Sequence, residues 1–253
     1  MTHPIEPRGS SYGDQLCNWV RAFADAREDA LTAALEDGSS PQQVRMFTES
    51  NFGKRREKLI RSLEFLDGAF DDLEDLVSIY LREVLLVAYD TTGDEGERSL
   101  SWLGRARELT PSQQDYVACQ LARLGVEAVA RRDRRGHLRF QELWSVAAEL
   151  AVEIERIPGL RIHLNPIRVW SRFTTPALLD DDAPLPADVV FFAARDTIRT
   201  AVLEADGRAM VEELASWGPC TLEEWAALSR HADREGIAAL CRDLAEMGLV
   251  AFG

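Results

Sequence analysis

The chain has 253 residues, 46% of them hydrophobic and 28% charged, an ordinary globular composition with enough apolar material for one large domain or two smaller ones. Its formal net charge of -14 favours solubility and weighs against anionic partners in general. No apolar run approaches the ~20 residues of a membrane span, and the first residues lack the apolar core of a signal peptide, so a soluble, cytoplasmic protein is expected.

In chain order, residues 1–13 are polar with Pro and Gly and read as a disordered tail. Residues 15–35 carry Leu16, Trp19, Val20, Phe23, Ala26 and Ala30 at helical spacing. Gly38 to Pro41 ends that helix, and Pro41 suits the opening turn of the next. The strongest periodic signal follows: Leu59, Leu63, Leu66, Phe70, Leu73, Val77, Tyr80 and Val84 step by fours and threes along one face. Gly68 is unfavourable inside a helix, and Asp71-Asp72 suits a helix start, so the segment is split into two helices around residues 67–69. Residues 89–98 read as a polar loop. Two further helices are predicted over 112–131 and 138–155, with Thr110-Pro111 as cap and first residue, and with a basic turn over 131–136 between them.

After Pro158-Gly159 the period changes. Residues 160–164 and 167–170 alternate like strands, and 174–186, rich in Asp and Pro, reads as a linker. Two strands then flank a short hairpin turn at 195–197, followed by helices near 207–217, 221–230 and 234–247 and a last strand over 249–252. Thr221 and Glu224 form a capping box, and Gly248 is the left-handed stop of the last helix. The fold class expected is mainly α with a small β component. The domain reading is a tail (1–13), a helical domain (14–158), a strand-like connector and linker (159–186) and a winged-helix module (187–253).

Catalytic constellations are wanting. Cys17, Cys119, Cys220 and Cys241 form no C-x-x-C pair and have no His at metal-site spacing, which suits free thiols in a reducing compartment. His3, His137, His163 and His231 stand apart, there is no G-x-S-x-G elbow, and Asp180-Asp181-Asp182 lacks the alternating ligands of a calcium loop. The chain is therefore read as no enzyme, with no catalytic, metal or cofactor residues of its own. Two basic clusters, at 54–61 and 131–135, are either solvated helix faces or docking patches for an acidic partner. Arg55, Arg131, Arg132, Arg134, Arg135 and the strand histidine His163 are the candidate docking residues.

The C-terminal module carries the functional argument. From Asp188 onward there are twelve acidic residues against six arginines and no lysine, whereas phosphate binding needs surplus Lys and Arg. A net acidic winged helix is better suited to a polypeptide. A hairpin beside three helices leaves a strand edge on which an extended peptide can add, with main-chain hydrogen bonds for affinity and alternate side chains for selectivity. Ile198, Arg199, Thr200, Ala201, Val202 and Leu203 are the candidate edge strand, with Ala238 and Arg242 of the last helix facing the groove. The rival reading is a winged-helix transcriptional regulator with a helical effector domain.

In its element order, its Trp217-Gly218 turn and its Leu-rich last helix ending in Gly-Leu-Val, the segment from Val189 to Val250 resembles the PqqD-like peptide-recognition elements of ribosomal-peptide biosynthesis. Over about residues 40–253 the chain is also similar to HvfC- and TglI-like partner proteins of multinuclear non-haem iron enzymes. Asn51 and Arg55 ahead of Leu59, Leu63 and Phe70 carry that likeness, with residues 160–166 and the strand from Val189 to Arg195. Gly68-Ala69 replaces a Phe-Pro junction of that group, and Asn165 is an added residue before Pro166. The resemblance implies an accessory subunit that presents a precursor peptide to an iron enzyme, with the iron held by that partner; the acidic charge and the lack of a long apolar run leave neither nucleic acid nor membrane among the expected partners.

Overall fold

The computed structural model describes residues 40–84, 94–180 and 182–253, together with Thr32. The helix expected over 15–35, Cys17, His3 and Asp181 therefore lie outside the described residues. The chain is mostly helical with a small antiparallel sheet component, and it divides into two compact units, Met1–Glu108 and Leu109–Gly253.

In the first unit, helix α1 (Pro41–Ser62) opens with Pro41 in its first turn. A 3-10 turn (Glu64–Gly68) and then α2 (Leu73–Glu83) follow, so the long apolar stripe is split where Gly68 interrupts it. Leu59, Leu63, Leu66, Phe70, Leu73, Val77 and Tyr80 are all buried. Helix α3 (Glu95–Ala106) is a correction to the polar loop expected over 89–98. Asp94 caps it by accepting from the Gly96 amide, and Leu100 and Leu103 turn inward.

The second unit is built around one strand. Strands β1 (Arg161–Leu164), β2 (Arg168–Phe173), β3 (Ala187–Ala194), β4 (Thr197–Leu203), β5 (Cys220–Thr221) and β6 (Val250–Phe252) form two antiparallel sheets, ordered β5-β1-β6 and β2-β3-β4. From Val189 to Ala194 β3 is wholly apolar, and both of its faces are covered. Val189, Phe191 and Ala193 pack with Cys119, Ala122 and Val126 of helix α4 (Pro111–Arg132). Val190, Phe192 and Ala194 join the core formed with α7 (Ala205–Trp217), α8 (Leu222–Leu228) and α9 (Arg234–Met247). Each such buried side chain contributes about 2 kcal/mol.

That arrangement moves the domain boundary. The sequence reading placed it after residue 158, but α4 covers one face of the sheet and belongs with it, so the units divide after Glu108. The segment read as a linker is tied down too. Asp115, 3% exposed on α4, accepts from the backbone amides and hydroxyls of Thr174 and Thr175. The basic stretch is not a turn either. Asp133 alone separates α4 from α5 (Arg134–Trp144), and its carboxylate accepts from the Gly136 amide. The helix expected over 138–155 ends earlier and continues as a separate short one, α6 (Ala147–Val152).

Two local features hold the C-terminal turn. Gly248 takes φ 92°, and a Cβ there would come within 2.8 Å of the Trp144 ring. Asn165, wholly buried between β1 and β2, donates to Ala193 O (2.8 Å) and Gly248 O (3.0 Å) and accepts from the Ile167 amide (2.9 Å). Replacing it leaves those backbone groups buried and unpaired. Asn165→Ala is expected to cost about 3 kcal/mol and to lower the thermal midpoint by about 10 °C. Thr200→Ala, on the exposed strand, should shift it by less than about 2 °C; calorimetry on the three proteins checks both.

Candidate functional site

β4 is an edge. It pairs with β3 from Ala194↔Thr197 to Asp188↔Leu203, and among the described residues no strand pairs with its other side. A two-residue turn, Arg195-Asp196, joins the strands, so Ala194 and Thr197 form the hydrogen-bonded pair that closes the hairpin. By alternation, Thr197, Arg199, Ala201 and Leu203 bond to β3, while Ile198, Thr200 and Val202 direct their amides and carbonyls outward. Arg199, Thr200 and Val202 are exposed, Val202 by 43%. Ala201 is buried, and Ile198 and Leu203 are half-buried against opposite faces of the sheet. The six residues expected at the edge are thus on that strand, but Ala201 has its side chain buried and its backbone turned to β3.

The two residues expected from the last helix are not at a groove. Ala238 is wholly buried in the core, and Arg242 turns away to pair with Glu155 at 3.0 Å. Ala238 lies on the same stripe as Cys241 and Ala245, and an alanine's small side chain gives no sequence signal of which side of such a stripe it takes. Leu240 and Met247 are the half-buried apolar residues of α9.

At the hairpin end of β4 stands a group that sequence reasoning missed. The Trp144 indole, from α5, donates to Ala245 O at 2.7 Å. Its ring carries two guanidinium groups, Arg195 at 5.4 Å and Arg199 at 5.7 Å from the ring centre. Arg199 also donates to Met247 O at 3.1 Å, at the C-terminal end of α9, where the helix dipole favours a cation. Arg195 has φ 54°, a left-handed conformation that costs a non-glycine residue about 1 kcal/mol. The only sequence signal was Arg195 at a turn position that favours Gly or Asn. Arg168 shares the row, since β2 Arg168 and β4 Arg199 both lie opposite Phe192, and its own hydrogen bond goes to Asn165 O.

The expected docking residues are not gathered in one place. Arg55, only 9% exposed, is held by Glu95 at 2.7 Å and by Val84 O at 3.2 Å, so it is a buried structural ion pair of the first unit. Arg131 lies 3.5 Å from Glu127 on its own helix. Arg132, Arg134 and Arg135 are exposed around the α4–α5 junction. His163 sits in the centre of its sheet opposite Ala251, where burial and then the Arg161 charge hold its pKa below the ordinary value.

Among the described residues no cluster of His, Cys, Asp and Glu could hold a metal ion, Cys119, Cys220 and Cys241 are free and buried, and no helix is long and apolar enough to cross a membrane. The nearest approach to a catalytic group is Glu213 with Ser229 and His231. Its geometry is structural, because the Ser229 hydroxyl donates to Glu213 at 2.8 Å and only the backbone amide of His231 reaches Ser229. No family model matches the sequence, and neither do curated proteins or solved structures.

Burial alone would push the Glu213 carboxyl up, but hydrogen bonds from Ser229, Trp225 and the Arg230 amide, with His231 nearby, hold it below the usual carboxylate range. A depressed folded pKa gives stability that is present above the unfolded carboxylate value and lost as pH falls through the folded one. Glu213→Gln should therefore be less stable than the parent at pH 7, with the gap closing below about pH 4. Urea titrations at pH 7 and pH 3.5 check this, and an unchanged gap at the lower pH would contradict it.

Proposed function

We propose that this chain is a non-catalytic partner subunit that takes up a ribosomally made precursor peptide as an added strand on β4 and presents it to a multinuclear non-haem iron enzyme, which holds the iron. The observation that carries the reading is the one-sided pairing of β4, with the outward backbone groups of Ile198, Thr200 and Val202 at the open side. Its context supports it. A three-stranded antiparallel sheet, β2-β3-β4, is followed by three helices, the element order of the winged-helix recognition modules that the sequence resembles. The acidic balance beyond Asp188 favours polypeptide over polynucleotide. Exposed Arg132, Arg134 and Arg135 give a basic surface for docking the partner enzyme. Holding the peptide beside a partner's active site raises its effective concentration and needs no chemistry here.

Val202→Pro is the sharpest test. It removes an outward donor from an edge strand and leaves the bonds to β3 in place, so the fold should survive. Binding of fluorescein-labelled leader peptides, taken from short Cys-containing reading frames beside the gene, should weaken by about tenfold. Equal binding by parent and variant counts against strand addition. Salt-sensitive binding of duplex DNA at low salt would support the regulator instead.

A further inference from the structure

We propose that the peptide taken up at β4 carries an acidic side chain, whose carboxylate is received by Arg195 and Arg199 over the Trp144 ring, and that this contact fixes the register of the added strand. The inference rests on the strand-addition reading and names the class of peptide it selects.

The charge pattern of the module points there. Arg208 pairs with Asp188 and Glu212, Arg234 with Glu155 and Glu223, Arg242 with Glu155, and Arg161 approaches Glu224. Arg195 and Arg199 differ from these four; among the described residues the Arg230 side chain is also without an ion pair, but no ring carries it. Among the described residues neither Arg195 nor Arg199 has a carboxylate partner, although the surrounding sequence is acidic and Asp196 is next in the chain. Both are exposed. Both are nevertheless oriented, Arg195 by its turn and the indole face, Arg199 by the indole face and Met247 O. Two guanidinium groups held in place beforehand lose little freedom on binding, and their forked donors match a carboxylate.

Position supplies the rest. Arg199 is on β4 itself, and Arg195 is in the turn that begins it, so both stand at one end of the open edge. A carboxylate seated there fixes which peptide residue lies opposite Arg199. Backbone pairing alone does not do this, because a strand slipped along an edge makes the same hydrogen bonds, and a slip of one residue turns every side chain to the other face. The acidic residues elsewhere in the module repel further acids on the peptide, so one or two acids near one end are favoured over an acidic run.

The test begins with a displayed library of randomised twelve-residue peptides selected on the immobilised full-length chain. Selected peptides are then measured by fluorescence anisotropy, each beside its Glu→Gln or Asp→Asn counterpart. The proteins are the parent, Arg195→Gln, Arg199→Gln, Arg199→Lys and Val202→Pro, each confirmed as folded by circular dichroism. The expected result is an acid at one fixed position, an approximately tenfold loss when it becomes the amide, and little further loss from that change on Arg199→Gln. Arg199→Lys should recover part of the affinity. Peptides that bind in a Val202→Pro-sensitive way without any acid preference would overturn this inference and leave strand addition standing. Acid-dependent binding that Val202→Pro does not affect would overturn both, and so would a selection that enriches nothing.

Discussion

The second unit depends on the Asn165 carboxamide. One side chain closes the β1–β2 connection through the Ile167 amide, reaches β3 at Ala193 O, and holds the turn after α9 at Gly248 O. Its own backbone amide donates to Leu249 O. Two separate sheets and the end of the last helix thus meet at a buried amide whose donors and acceptor are all used. An apolar residue there would leave several backbone groups dry and unpaired. Asn165 was noted in the sequence only as an added residue before Pro166.

Around that point the layers follow from β3. A strand apolar on both faces needs two covers, and it has them, α4 on one side and α7, α8 and α9 on the other. Covering both faces leaves the sheet only its edges to offer. β4 presents one, flanked by the Trp144 cluster at the hairpin. Trp144 also serves the fold, since its indole bonds to Ala245 O and its ring packs where Gly248 leaves room. The same ring that closes the core therefore orients two exposed cations.

Much of the local structure was legible. Thr110 caps its helix and Thr221 makes its capping box as expected, Gly248 takes the left-handed conformation, and the hairpin strands run within two residues of their expected limits. Helix α3 was missed because its acidic first turn reads as loop and its apolar residues are few. Arg55 looked like part of a solvated basic run, yet Glu95, forty positions away, neutralises it. Arg242 looked available because it lies off the expected core face of the last helix, and Glu155 takes it. In each case the deciding partner is distant in sequence.

By itself the sequence determined several local starts and stops, among them the caps at Thr110 and Thr221, the opening Pro41, the stop at Gly248 and the β3–β4 hairpin, because caps, prolines, glycines and apolar periods act over four or five residues. It also set the acidic balance, which no folding changes. Tertiary structure alone decided which unit α4 joins, that Ala238 is core, that Arg55 and Arg242 are neutralised, and that Arg195 and Arg199 are not. Burial and ion pairing depend on separations through space, and residues far apart along the chain acquire those only when the strands and helices pack.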